Sequence, residues 1–220
     1  MRADRTWFPG VADATWIESV SSPVHPALLD IEKDAGPDNV PIVDRASGRV
    51  LAALASDRRR IVEVGTAIGY STLWMALAQP DDGTIVTIDP DVNRTLRARV
   101  HWRHAGIAEA RITVVNAPAL EAFRAGDAAL AGPFDMAFID AVKSEYGGYL
   151  TAIATRLSPG ALVLADNVLW TGRVSGSRKS QPGDGTRDLR AFCEHVMADP
   201  RFASTILPVG DGLLLSVYQG

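Results

Sequence analysis

Cysteine is almost absent: Cys193 stands alone among 220 residues. An intramolecular disulfide and a cysteine-rich metal cluster are thereby excluded, which fits a reducing compartment and the expectation of a cytoplasmic protein. No apolar run approaches the ~20 residues a membrane-crossing helix needs, and the first five residues carry no signal-peptide core. A basic surplus is missing too, since 22 lysines and arginines face 26 acids for a formal net charge of −4. Neither nucleic acid nor a membrane surface is therefore an expected partner. The Gly-x-Gly-x-x-Gly spacing of pyrophosphate-binding turns does not occur at the chain's main glycine turn, and no Ser-His-Asp arrangement is evident.

What the chain does have is the stretch Val62-Glu63-Val64-Gly65-Thr66-Ala67-Ile68-Gly69-Tyr70-Ser71. An apolar run too short for a helix leads into two glycines, and Ser71 to Ala78 then carries helical spacing, so strand, tight turn and helix follow one another. Glycine lets backbone approach a ligand, and the helix start offers free N–H groups that suit a single carboxylate.

Ahead of this turn, residues 1 to about 22 mix Trp7, Phe8, Trp16, Ile17 and Val20 with polar residues, the pattern of a short helix docking by its aromatics. Residues 1–40 thus form an N-terminal helical segment that either caps a pocket or packs on the body or a second subunit. A brief helix is expected over Ala27 to Lys33, a turn at Gly36-Pro37-Asp38-Asn39, and a helix from Asp44 to Leu54. Beyond the turn, strands over Thr84 to Asp89, Arg111 to Asn116, Phe134 to Asp140 and Ala161 to Asp166 alternate with helices around Arg94 to Ala105, Ala119 to Ala125 and Tyr146 to Leu157. Such alternation predicts one α/β domain with a mostly parallel sheet and helices on both faces. Gly210-Asp211-Gly212 joins two last strands, Ser204 to Val209 and Leu213 to Gln219, as an antiparallel hairpin. Residues 172–187 are polar and glycine-rich, the composition of a flexible lid-like loop.

Ligands of open α/β sheets sit beyond the carboxyl ends of the strands, and here those ends are acidic. Asp89 lies where an acid receives ribose hydroxyls, with Asp91 as the alternative if the strand runs longer. Asp140 closes the fourth strand, and Asp166 with Asn167 closes the fifth. On neighbouring strands ~4.8 Å apart these side chains converge, and two carboxylates with an amide suit Mg²⁺ or a similar hard cation.

Three motifs in this order, Val62 to Ser71, Phe138-Ile139-Asp140-Ala141-Val142-Lys143 and Ala165-Asp166-Asn167-Val168-Leu169-Trp170, resemble those of the cation-dependent O-methyltransferases of the caffeoyl-CoA and catechol type. The resemblance spans about residues 40 to 220. It implies the class I methyltransferase fold, a Rossmann-like, mostly parallel seven-stranded sheet with a C-terminal antiparallel hairpin. It also implies S-adenosylmethionine (SAM) as donor, a divalent cation, usually Mg²⁺, a catechol-like acceptor and a homodimer. By position, Glu63, Gly65 and Ser71 would hold the methionine part of the donor, Val43 and Gly69 would line it, and Asp89 would take the ribose. Asp140, which would also border the donor, Asp166 and Asn167 would bind the cation, Lys143 would stand beside the acceptor hydroxyl, and Trp170 would wall the acceptor ring. On the adenine side Asn116-Ala117-Pro118-Ala119 replaces the family's usual Gly-Asp-Ala, so Ala117 marks the adenine contact. Plant members carry a second Asp where this chain has Val142, a residue the catechol enzymes also lack. A nicotinamide-binding oxidoreductase and a donor-binding protein without activity are the alternatives.

Overall fold

The computed structural model describes residues 10–220; Trp7 and Phe8 lie outside them. Three helices, α1 (Val11–Val20), α2 (Pro26–Asp38) and α3 (Arg45–Ala55), precede β1 (Arg60–Val64). Then come α4 (Tyr70–Ala78), β2 (Thr84–Ile88), α5 (Val92–His104), β3 (Ile112–Val115), α6 (Ala119–Ala125) and β4 (Phe134–Ile139). The chain ends with α7 (Tyr146–Ala154), β5 (Leu157–Ala165), α8 (Thr186–Ala198), β6 (Phe202–Leu207) and β7 (Leu213–Tyr218).

The strands form one seven-stranded sheet in the order β3-β2-β1-β4-β5-β7-β6. Pairing is parallel from β3 through β5, and β7 runs antiparallel to both β5 and β6. The period of two in each strand divides the apolar residues between two cores. Ile61, Ile85, Met136, Phe138, Leu162 and Leu164 pack with α2, α3, α4 and α5, whereas Val62, Val86, Ala137, Ile139 and Val163 pack with α6, α7 and α8. Glu63 shares the parity of Ile61, so its carboxylate is driven into the first, otherwise apolar layer.

Four elements differ from the sequence expectation. The helix α1, expected to dock by its aromatics, buries none of its residues and exposes Trp16, Ile17 and Val20, and β5 starts at Leu157 and not at Ala161, because the chain rejoins the sheet directly after α7. The turn expected at Gly36 to Asn39 is the last turn of α2, which continues through Pro37 and stops at Asn39 in the left-handed conformation with φ 48°. The cause is tertiary: Ala27, Leu28, Ile31 and Ala35 bury one face, and the Asn39 N–H donates to the Ala35 and Gly36 carbonyls as a cap. The helix α8 was not among the expected elements, although Leu189, Phe192, Cys193 and Val196, its buried residues with Thr186, have helical spacing. The nearby polar run draws attention to a loop and masks this signal.

The order of strands reverses at β1, which has β2 on one side and β4 on the other, and such a switch point opens a crevice at the strand ends. The Asp140 N–H donates to the Val64 carbonyl (2.9 Å) and the Asp166 N–H to the Ile139 carbonyl (3.0 Å), so the residues just past β1, β4 and β5 remain in register. They line a cavity of about 1150 Å³.

Candidate active site

The first half of the cavity is built by the glycine turn. Gly65 has φ 101°, and a Cβ placed there would collide with the Asp140 carbonyl, so only glycine lets β1 and β4 end so close together. Asp89 follows β2 and lines the cavity. Its Oδ2 accepts from the Ala67 N–H (2.8 Å) and its Oδ1 from the Asp91 N–H (2.9 Å), which fixes the carboxylate across the turn. Asp91 instead caps α5, accepting from the Arg94 N–H at 3.0 Å. Of the two acids considered from sequence, Asp89 is therefore the one in the cavity wall.

Val43 and Ser71 also line this half, and Tyr70 stands beside them. Glu63 is wholly buried behind the wall (0% exposed). Ser71 and Thr87 donate hydroxyls to it at 2.6 Å, and Thr72 donates a third. Burial nevertheless pushes its pKa up to about 7 against those three hydrogen bonds. The carboxylate thereby ties the start of α4 to β1 and β2. Gly69 (φ 82°) is also behind the wall, packed under Trp102, whose indole N–H donates to the Gly69 carbonyl at 2.9 Å. In the Asn116–Ala119 segment, Pro118 and Ala119 line the cavity, while the Asn116 amide is turned to the Asp89 carbonyl (3.1 Å) and Thr95 (2.8 Å). Ala117 packs at the edge of the second core.

The second half gathers Asp140, Lys143, Asp166, Asn167 and Trp170. Lys143 Nζ donates to Asp140 Oδ1, Asn167 Oδ1 and the Tyr146 hydroxyl oxygen, each at 2.6 Å. The Tyr146 hydroxyl in turn donates to the Asp166 carbonyl (3.1 Å). The ammonium also lies 5.7 Å from the centre of the Trp170 ring and 5.0 Å from that of Tyr146. Asp166 is 2% exposed, and its Oδ1 is buried without any hydrogen-bond partner among the described residues. Burial, then the neighbouring Asp140 charge, raises its pKa to about 7. Tyr146 is raised well above the ordinary phenol value by burial and by the same two carboxylates.

The backbone here is as unusual as the electrostatics. Asn167 (φ 58°), Trp170 (φ 48°) and Thr171 (φ 52°) all take the left-handed conformation, one that residues with a Cβ rarely adopt. The bonds that hold it are visible: Val168 and Leu169 N–H groups donate to Gly212 and Asp211 carbonyls (3.0 and 2.9 Å), and the Trp170 indole donates to the Asp184 carbonyl (2.7 Å). The β6–β7 turn and the end of the 172–187 loop thus clamp the segment that carries Asn167.

Among the described residues no group of three or more His, Cys, Asp or Glu side chains is placed to hold a metal ion. The donor set is instead two carboxylates and one amide oxygen. It fits a hard divalent cation on two observations: a buried Asp166 oxygen lacks a partner, and a positively charged group, the Lys143 ammonium, already sits between Asp140 and Asn167.

Sequence reasoning passed over Tyr146, Thr72, Thr87 and Tyr70. Tyr146 was readable as the residue three positions beyond Lys143, one helical turn away. The two threonines had no such signal, because their roles come from a buried acid on a neighbouring strand.

A family model described as O-methyltransferase matches residues 29–218. Over 180 residues the chain is 35% identical to a catechol O-methyltransferase of Niastella koreensis, covering 78% of this chain and 80% of that protein. It is 34% identical over 163 residues to a caffeoyl-CoA O-methyltransferase of Mesembryanthemum crystallinum, covering 71% of this chain and 64% of that protein. Among solved structures, the O-methyltransferase TomG of Streptomyces achromogenes, involved in tomaymycin synthesis and in complex with SAM, superposes with a TM-score of 0.83 at 29% identity over 94% of this chain and 95% of its own.

Proposed function

The chain belongs to the O-methyltransferase family, and from that premise we propose that it transfers a methyl group from SAM to one hydroxyl of a catechol-like small molecule with the help of a divalent cation, Mg²⁺ foremost. The observation that carries the cation is the partnerless buried oxygen of Asp166 beside Asp140 and Asn167. A nicotinamide oxidoreductase has no comparable support, and the family assignment sets it aside.

SAM would supply an electrophilic methyl. A cation held by Asp140, Asp166 and Asn167 would lower the free energy of a phenolate and fix its position. The remaining work falls to the protein. Asp89, Gly65, Ser71 and Val43 hold the donor against the glycine turn, with Glu63 and Gly69 keeping that turn in shape from behind. Lys143 stands at the acceptor hydroxyl: once its ammonium has given up a proton to solvent, the neutral amine takes the hydroxyl's proton while the new C–O bond forms and the C–S bond of the sulfonium breaks. Trp170 walls the acceptor ring, and the 172–187 loop serves as the lid. Holding donor and acceptor in line contributes up to ~7 to 11 kcal/mol in favourable systems, and no covalent intermediate on the protein is needed.

We also propose a homodimer, for which α1 offers a surface: it buries none of its residues and exposes Val11, Trp16, Ile17 and Val20. Light scattering at micromolar concentration tests the assembly. The reaction is tested by incubating the protein with SAM, Mg²⁺ and catechol, with and without chelator, and detecting methylated product by mass spectrometry. Product that forms with Mg²⁺ and disappears with chelator is expected. Full turnover in chelator would defeat the cation, and stabilisation by NAD but not by S-adenosylhomocysteine in a melting experiment would defeat the donor.

A further inference from the structure

The charges around the cavity are almost all spoken for. Asp89 and Asp91 accept backbone N–H groups, and Arg94 pairs with Asp91 at 3.4 Å. Asp44 caps α3, Glu145 accepts the Tyr149 hydroxyl (2.7 Å), Asp211 accepts the Thr171 N–H, and Lys143 is held by Asp140. Arg178 is different. It lines the cavity, yet its guanidinium makes no hydrogen bond or ion pair among the described residues.

Its position is defined by the backbone. The Arg178 N–H donates to the Gly172 carbonyl (3.1 Å), and its side chain begins over Gly172, two residues beyond the Trp170 ring. Arg178 thus lines the cavity together with Trp170, Ser175 and Ser177. Residues 172–187 around it carry four cations and one acid, although the chain as a whole is net acidic. Arg173 is the cation that this one acid, Asp184, engages, at 3.6 Å. Arg187 lies 3.9 Å from Asp188, and of the four cations only Arg178 lines the cavity. Its unpaired guanidinium favours an anion there, and the planar fork suits a carboxylate.

We propose that the acceptor is a catechol bearing a carboxylate on its ring or side chain, and that Arg178 is the residue that selects it. The inference rests on the methyl-transfer reading and names the acceptor class within it. Arg178 is a specificity residue, since it would touch the substrate's remote group and not the reacting oxygen. Its exposure limits its effect to about tenfold, the size of one charge-assisted contact partly screened by water.

The test compares 3,4-dihydroxybenzoate, neutral 4-methylcatechol and cationic dopamine in the wild type, Arg178→Ala and Arg178→Lys, with SAM and Mg²⁺ present. Wild type is expected to favour the carboxylate over the neutral acceptor by about tenfold in kcat/KM, carried by KM. Arg178→Ala should bring that ratio close to one, and Arg178→Lys should restore part of it. Calorimetric titration of the same acceptors, in the presence of S-adenosylhomocysteine and Mg²⁺, should show the same order of Kd. Equal handling of the three acceptors by wild type, a preference for dopamine, or an Arg178→Ala variant that keeps the ratio would each overturn the selection while leaving methyl transfer intact. Methylation of none of the three would overturn the reading beneath it as well.

Discussion

Glu63 and Asp166 are both buried carboxylates at the same sheet, both pushed to about 7 chiefly by burial, yet their surroundings differ. Three hydroxyls surround Glu63, so each of its oxygens has a partner. Asp166 keeps one oxygen with none among the described residues, and its neighbours are a second acid and three strained residues of the following segment. A satisfied buried acid holds a fold together; an unsatisfied one costs stability and is retained for what it does. By this criterion Glu63 has the surroundings of a structural carboxylate, and Asp166, at the end of β5, has those of the carboxylate proposed for the chemistry.

The contrast is broken most sharply by Asp166→Asn. Methyl transfer to a catechol should fall by more than about a hundredfold, with the melting temperature unchanged or raised, because a destabilising charge is lost. Activity assays and calorimetry on one preparation check both halves; a variant that loses stability and keeps turnover would exchange the roles assigned to the two acids. Next in size, Lys143→Ala should slow transfer by about 10²-fold or more while the Kd for S-adenosylhomocysteine stays within about twofold. Single-turnover rates set beside calorimetric titration separate the two, and an unaltered rate removes the lysine from the chemistry.

Glu63→Gln should do the opposite of Asp166→Asn. It places an amide N–H₂ among hydroxyl donors and should cost about 1–3 kcal/mol in urea unfolding. Thr72→Val, which deletes one donor and keeps the shape, should cost about half as much. A gain in stability from either would show the hydroxyl cage to be worth less than the burial of the acid. The pH profile checks the same acid from another side. The folded protein holds the Glu63 proton more tightly than the unfolded chain, whose pKa is near 4.5. Its contribution to stability is therefore complete below about 4.5, declines as pH rises and is lost above about 7. Unfolding free energies measured across that window in the Asp166→Asn background should fall with pH, and adding Glu63→Gln should flatten the slope.

Much of this was legible in the sequence because it depends on local periodicity. The short, nearly continuous apolar runs Ile61 to Val64 and Phe134 to Ile139 give the strands, and the acids that follow such runs, Asp89, Asp140 and Asp166, mark where each strand ends. Asn167 and Lys143 are also local, one residue past an acid and three past another. What was not legible depends on contacts distant in the chain. Nothing near Glu63 tells that Thr87, on another strand, will donate a hydroxyl to it and withdraw it from the cavity wall. Likewise Gly69 reads as a ligand-approach glycine, but the residue it accommodates is Trp102. The extension of α2 through Pro37 follows the same rule, since the burial of Ala35 outweighs a local turn signal.

Among the described residues the surface helix α1 buries no apolar side chain and is tethered by ion pairs. Glu18 reaches Arg45 (3.3 Å) and Arg49 (3.2 Å), Arg45 grips Glu32 (2.6 Å), and Glu32 receives the hydroxyl of Tyr70 in the cavity wall (2.6 Å). In about 1 M salt, where charges are felt over only about 3 Å, the outer knots at Glu18 loosen first and the half-sheltered inner one persists. Brine should thus unmoor the helix well before it disturbs the cleft, and a label on Trp16 would report the casting-off.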